Sequence, residues 1–82
     1  MIVFTYPICN VADENIFQKQ CMAIEKYLNP LEKGTLIEDV DGSKIQSYTF
    51  GKHKVTVKNS MYTNEVYVES DIDIKPYFAK NS

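Results

Sequence analysis

A chain of 82 residues holds one domain and one core, since a chain so short buries only about 60% of the surface its unfolded form exposes, which excludes a second domain and a deep multi-residue cleft. At 44% hydrophobic and 24% charged, the composition is that of a folding globule rather than a disordered segment. The net charge is −2 and all nine basic residues are lysine; arginine, whose forked group reads guanine edges and phosphates, is missing, which counts against sequence-specific nucleic-acid recognition.

The first apolar run, from Met1 to Cys9, has no basic start and is too short to cross a bilayer, which takes about 20 helical residues. It reads as a strand over Ile2 to Tyr6, with Ile2, Phe4 and Tyr6 on one face, ended by Pro7. Asn10 is the expected helix N-cap, followed by Asp13 and Glu14 where carboxylates favour the positive end of the helix dipole. Phe17, Cys21, Ile24, Leu28 and Leu31 then form a single stripe at helical spacing, and Asn29-Pro30 stops the helix. Without a secretion signal, Cys9 and Cys21 are expected as reduced thiols in the cytosol.

After Gly34 the pattern changes to short alternating runs. Asp41-Gly42 and Gly51-Lys52 are hairpin turns, so the remainder reads as an antiparallel meander. Setting Lys58 opposite Glu65 places Val57 beside Val66, Val55 beside Val68 and Lys54 beside Glu69, with valines inward and opposite charges outward. Carried back through both turns, that parity puts Gln46, Tyr48, Phe50, Thr35 and Ile37 on the valine face and sends Leu36, Val40 and Ile45 to the other. Either a bulge near Asp41 reverses the parity or an apolar patch stands on the outer face. Tyr77 and Phe78 are expected to pack, with the tail fraying from about residue 79. The fold class is α+β over residues 1–82: one antiparallel sheet of about five strands, in the order β-α-β-β-β-β, with a single amphipathic helix on its valine face.

Few residues here can do chemistry. His53, the one histidine, sits between lysines at a turn with no orienting carboxylate beside it in sequence, so an exposed turn residue is the plainer reading. Cys21 lies on the buried stripe, where a thiol acts as a small hydrophobe. Asp39-Val40-Asp41-Gly42 fails as a calcium loop, because glycine falls at the fourth position rather than the sixth and Phe50 replaces the bidentate glutamate. Asp71-Ile72-Asp73 has no third carboxylate at a matching spacing. The three isolated glycines leave no phosphate loop. No cofactor, metal or catalytic residue is assigned. A minor enzyme using His53 with Cys9 would still need an orienter and an oxyanion site.

The acids are grouped. Glu38, Asp39 and Asp41 mark the second strand and its turn; Glu65, Glu69, Asp71 and Asp73 mark the fifth, with no lysine from Thr63 to Ile74. If strands two and five end on the same side of the sheet, their summed field attracts a basic partner despite the small net charge. Tyr62 and Tyr67 lie near this stretch, and tyrosine offers contact area at little entropic cost. Against this, acids at sheet edges also keep edges soluble.

The stretch Leu36-Ile37-Glu38-Asp39-Val40-Asp41-Gly42-Ser43, with Val66-Tyr67-Val68-Glu69-Ser70-Asp71-Ile72-Asp73 and Pro76-Tyr77-Phe78 after it, resembles small bacterial immunity proteins of contact-dependent growth inhibition and related polymorphic toxin systems. The similarity is one of size, layout and acidity over most of the chain. It implies a cytoplasmic inhibitor, monomeric when free, that binds a cognate toxin domain, commonly a basic nuclease, with no direct nucleic-acid or membrane contact. No site residue carries over from that resemblance; on charge alone, Glu38, Asp39, Asp41, Glu69, Asp71 and Asp73 are the expected contacts, with Tyr67 as aromatic anchor. The alternative is a small adaptor or subunit that homodimerises or binds a partner through its sheet edge.

Overall fold

The structure, a computed structural model, describes residues 3–28 and 31–79. Its elements are β1 (Phe4–Cys9), α1 (Glu14–Tyr27), β2 (Glu32–Glu38), β3 (Lys44–Phe50), β4 (His53–Ser60), β5 (Glu65–Ser70) and a short α2 (Lys75–Ala79). The strands form one antiparallel sheet in the order β1-β5-β4-β3-β2, so the expected α+β meander with a helix on one face is what the chain adopts. The first strand closes the far edge beside β5, and α1 carries the chain back across one face to start β2 at the opposite edge. The short α2 was not expected from the sequence. The helix stop at Asn29-Pro30, the packing of Phe78, the place of Ile2 in the first strand and the fraying of residues 80–82 lie outside what is described.

Helix α1 begins at Asp13, not Asn10: the Asp13 carboxylate accepts from Asn15 N at 2.8 Å and Ile16 N at 3.2 Å, satisfying donors that the first turn leaves free. Asn10 is instead part of a crossing loop held to the β4–β5 hairpin, where Ala12 N donates to Asn64 Oδ1 and Asp13 N donates to Asn59 Oδ1. Phe17, Cys21, Ile24 and Leu28 are buried against Tyr48, Val55, Val57, Val68 and Ile74. Leu31 and Tyr77 pack at the margin, the Tyr77 ring 5.1 Å from that of Phe50. Both cysteines are free thiols. Burial pushes the Cys21 thiol up and the Tyr48 phenol far above its usual range, the latter also through a 2.6 Å bond donated to Glu25 Oε2.

Pro7 does not end β1. The strand runs on to Cys9 with a bulge after Pro7, which is possible because an edge strand tolerates a residue without an N–H. The β4–β5 register is two residues away from the one expected: Val57 faces Val68, Thr56 faces Glu69 and Lys58 faces Tyr67. Because side chains alternate with period two, a two-residue slip keeps every valine inward. The bulge sought near Asp41 lies instead between Lys33 and Leu36. Gly34 sits there because a Cβ would come within 3.0 Å of Ser47 O. As a result Leu36, opposite Gln46, shares the helix face, while Ile37, opposite Ile45, points to the other.

Tyr6 ties β1 to the segment after β5. Its hydroxyl donates to Asp73 Oδ1 at 2.7 Å and accepts from Ile74 N at 3.0 Å. The Tyr6 bond, then the Lys75 N–H, holds the Asp73 carboxyl below its usual range, and the Lys44 ammonium does the same for Glu14. With folded pKa values depressed, the unfolded chain binds more protons in acid, so this stabilisation is complete above the ordinary carboxylate range of about 4 and disappears as pH falls through the folded values. The thermal midpoint is expected to drop between pH 5 and pH 3, and Tyr6→Phe to flatten that drop; circular dichroism melts of the two proteins across this range are the check.

Candidate functional site

The direction of the strands decides which acids can act together. Strand β2 and strand β5 run antiparallel, so β2 ends at the Asp39–Ser43 turn while β5 ends beside the Gly51-Lys52 turn, at the other end of the sheet. The condition for one summed acidic field is therefore not met. Glu38, Asp39 and Asp41 stand at the first end, Asp71 and Asp73 at the second, and Tyr67 and Glu69 on the helix-free face of β5 between them.

The acids at the second end are occupied. Asp73 accepts from Tyr6 and from Lys75 N. Asp71 Oδ1 accepts from Lys54 N at 3.2 Å and lies 3.2 Å from His53 Nδ1. The imidazole thus does have an orienting carboxylate, brought to it by the β4–β5 pairing rather than by sequence proximity. Cys9, paired with Val66, is at the opposite end of the sheet from His53, paired with Phe50, so the two cannot share a reaction site. Among the described residues no three potential ligands cluster to hold a metal ion, and no helix is long and apolar enough to cross a membrane.

The first end is differently built. Two hairpin tips stand side by side, joined by a bond from Met61 N to Ser43 Oγ at 2.8 Å, with the Met61 side chain within van der Waals reach of where a Cβ on Gly42 would stand. The β2–β3 tip closes through Asp39 N to Ser43 O at 2.8 Å and Gly42 N to Asp39 O at 3.1 Å, with Gly42 at φ 91°, a conformation that suits glycine. Asn64, at φ 55°, completes the other tip; asparagine tolerates that region better than most residues. Between the tips and the helix-free face lies a shallow recess of about 200 Å³, lined by residues that include Asp39, Asp41, Ile45, Lys58, Tyr62 and Tyr67.

Charge in this recess is unevenly matched. Lys58 pairs with Glu69 and stands 5.6 Å from the centre of the Tyr67 ring, and Lys44, also at the rim, pairs with Glu14 of α1. The two lysines are thereby matched by carboxylates from outside the recess. The Asp39 and Asp41 side chains accept instead from their own turn, Asp39 from Val40 N and Asp41 from Ser43 N. The Ser43 N–H, then its hydroxyl, holds the Asp41 carboxyl below the usual range. Tyr62, 91% exposed, and Val40, fully exposed, project beside them. Of the expected contacts, the fold brings together Asp39, Asp41 and Tyr67. It leaves Glu38 on the helix face opposite Lys44 and commits Glu69 to Lys58. Comparison with protein-family models, with curated proteins and with solved structures finds no match to this chain.

Proposed function

We propose that this chain is a cytoplasmic protein-binding domain that neutralises a bacterial toxin domain by docking its paired hairpin tips against a basic cleft. The observation that carries the reading is the recess at those tips, where two unmatched carboxylates, Asp39 and Asp41, adjoin Tyr62 and Tyr67. Exposed aromatic side chains on a rigid turn are the usual anchors of protein interfaces. Carboxylates held in place by hydrogen bonds within the turn present the negative charge of the phosphates that a nuclease cleft is built to hold. The field of such a tip raises encounter rates with a basic partner by about ten to a thousandfold and weakens with salt.

The chain's small size and the resemblance of its acidic, tyrosine-bearing strands to immunity proteins make inhibition of a toxin the specific form of this binding. The test is co-expression in a sensitive bacterial cell with a candidate toxin domain taken from the reading frames that flank the native gene. Growth arrest by the toxin domain alone and normal growth with this chain present is the expected result; arrest in both cases sets the reading aside.

A further inference from the structure

The two edges of the sheet are unlike. Strand β1 carries Pro7, which has no N–H to offer a further strand and discourages pairing at that edge. Strand β2 carries no proline, and all seven of its residues are exposed, so its outer row of backbone N–H and C=O groups is open. Apolar side chains flank it on both faces: Leu36, 48% exposed, lines a groove on the helix face with Met22, 64% exposed, and Ile37, 54% exposed, lies on the other face.

We propose that β2 pairs antiparallel with β2 of a second copy of this chain, about a two-fold axis through Leu36, joining two sheets into one. The bulge is what makes the strand complementary to itself. In a regular strand Lys33 and Glu38, five positions apart, point to opposite faces and can never stand across from each other about such an axis. Here Gly34 and Thr35 together oppose the single residue Ser47, so Lys33, opposite Tyr48, and Glu38, opposite Lys44, share the helix face. Counting the bulge as one position, an axis at Leu36 sets Lys33 against Glu38 of the second copy on both sides. Ile37 then faces the bulge of that copy, formed by Gly34 and Thr35.

At the axis Leu36 meets Leu36 of the second copy, with a Met22 on either side. Moving the axis one step, to the bulge, sets Lys33 against Leu36 and leaves Glu38 beyond the paired segment. Charge and apolar pattern thus agree in one register, and the occupant they fit is this same strand. Within its own chain Lys33 lies 3.5 Å from Glu25 with its side chain 59% exposed, a surface pair of small net worth that leaves it available. Asp39 and Asp41 of the proposed toxin-binding tip lie in the turn that directly follows the last residue of β2, whereas Tyr62 and Tyr67 lie away from this edge. The Lys33 and Glu38 variants leave all four unchanged, so failure of the strand pairing and failure of the toxin-binding reading are separately observed.

Sedimentation of the full chain from about 1 µM to about 1 mM, the range in which small interfaces associate, is expected to show mass rising from 9.5 kDa to twice that. Lys33→Glu and Glu38→Lys, each alone, set like charges opposite each other and are expected to weaken dimerisation by about tenfold or more. An equimolar mixture of the two restores both opposite-charge pairs and is expected to dimerise as the original chain does. Circular dichroism of each variant confirms that it remains folded. A monomer throughout, single variants that dimerise undiminished, or a mixture no stronger than its components each overturn the proposal.

Discussion

Ile24→Ala is expected to cost about 2–5 kcal/mol, the range for deleting a large buried aliphatic group. Ile24 is fully buried at the centre of the helix stripe, between Cys21 and Leu28 and against the valines of β4 and β5. Truncation removes its contact with the sheet and leaves a cavity that neighbours on a continuous ladder cannot collapse to fill. A chain of 82 residues has roughly 4–12 kcal/mol of stability at about 0.05–0.15 kcal/mol per residue, so this one change takes a large share of the total. Met22→Ala on the same helix, at an exposed position, is expected to stay within about 0.5 kcal/mol. Urea unfolding of the two variants beside the original chain gives the comparison directly.

What the sequence made legible follows from periodicity. The spacing of Phe17, Cys21, Ile24, Leu28 and Leu31 pointed to a helix: Phe17, Cys21 and Ile24 are the buried face of α1 and its C-cap Leu28 is buried beside them, whereas Leu31 lies beyond the helix and packs at the core margin. The alternation of Val55, Val57, Val66 and Val68 identified the inward side of β4 and β5, and all four are fully buried. The turn at Gly51-Lys52 closes as a two-residue hairpin between Phe50 and His53. Register was less legible, because opposing Lys58 to Glu65 maximised direct charge pairing whereas the chain extends the ladder to Ser60 and Glu65. Lys58 then reaches Glu69 on the neighbouring strand across a diagonal, a contact that long side chains make without being directly opposed.

The faces of β2 turned on a single residue. An alternating pattern carries no mark of where an extra residue is inserted, and the sign that Gly34 is the place is its close approach to Ser47 O, which exists only once β2 and β3 are paired. The candidate site was half legible for a similar reason. Asp39, Asp41 and Tyr67 are adjacent only because two hairpin tips stand side by side, and Asp71 and Asp73 are excluded only because β5 runs opposite to β2. Tyr62 was visible as an aromatic residue in a turn; its exposure beside the Asp39–Ser43 tip raises it above Glu38 and Glu69, whose surroundings are already ionic.

The second large effect is expected at that tip. Tyr62→Ala removes an exposed ring that supports nothing in the fold, so its cost should fall on binding, at about 2 kcal/mol or more if it is an anchor. Asp39→Lys with Asp41→Lys reverses the charge facing a basic partner and is expected to slow association and remove much of its salt dependence. Together the three changes should lower affinity by at least about a hundredfold, two steps of 1.4 kcal/mol.

Titration calorimetry of the proposed toxin partner with this triple variant, and in parallel with Asp71→Asn at the opposite end of the sheet, is the most direct measurement. A hundredfold loss in the first and near-original affinity in the second is the predicted result. Undiminished binding by the triple variant, or loss confined to the Asp71 change, would place the partner elsewhere on the molecule and contradict the assignment of the paired hairpin tips.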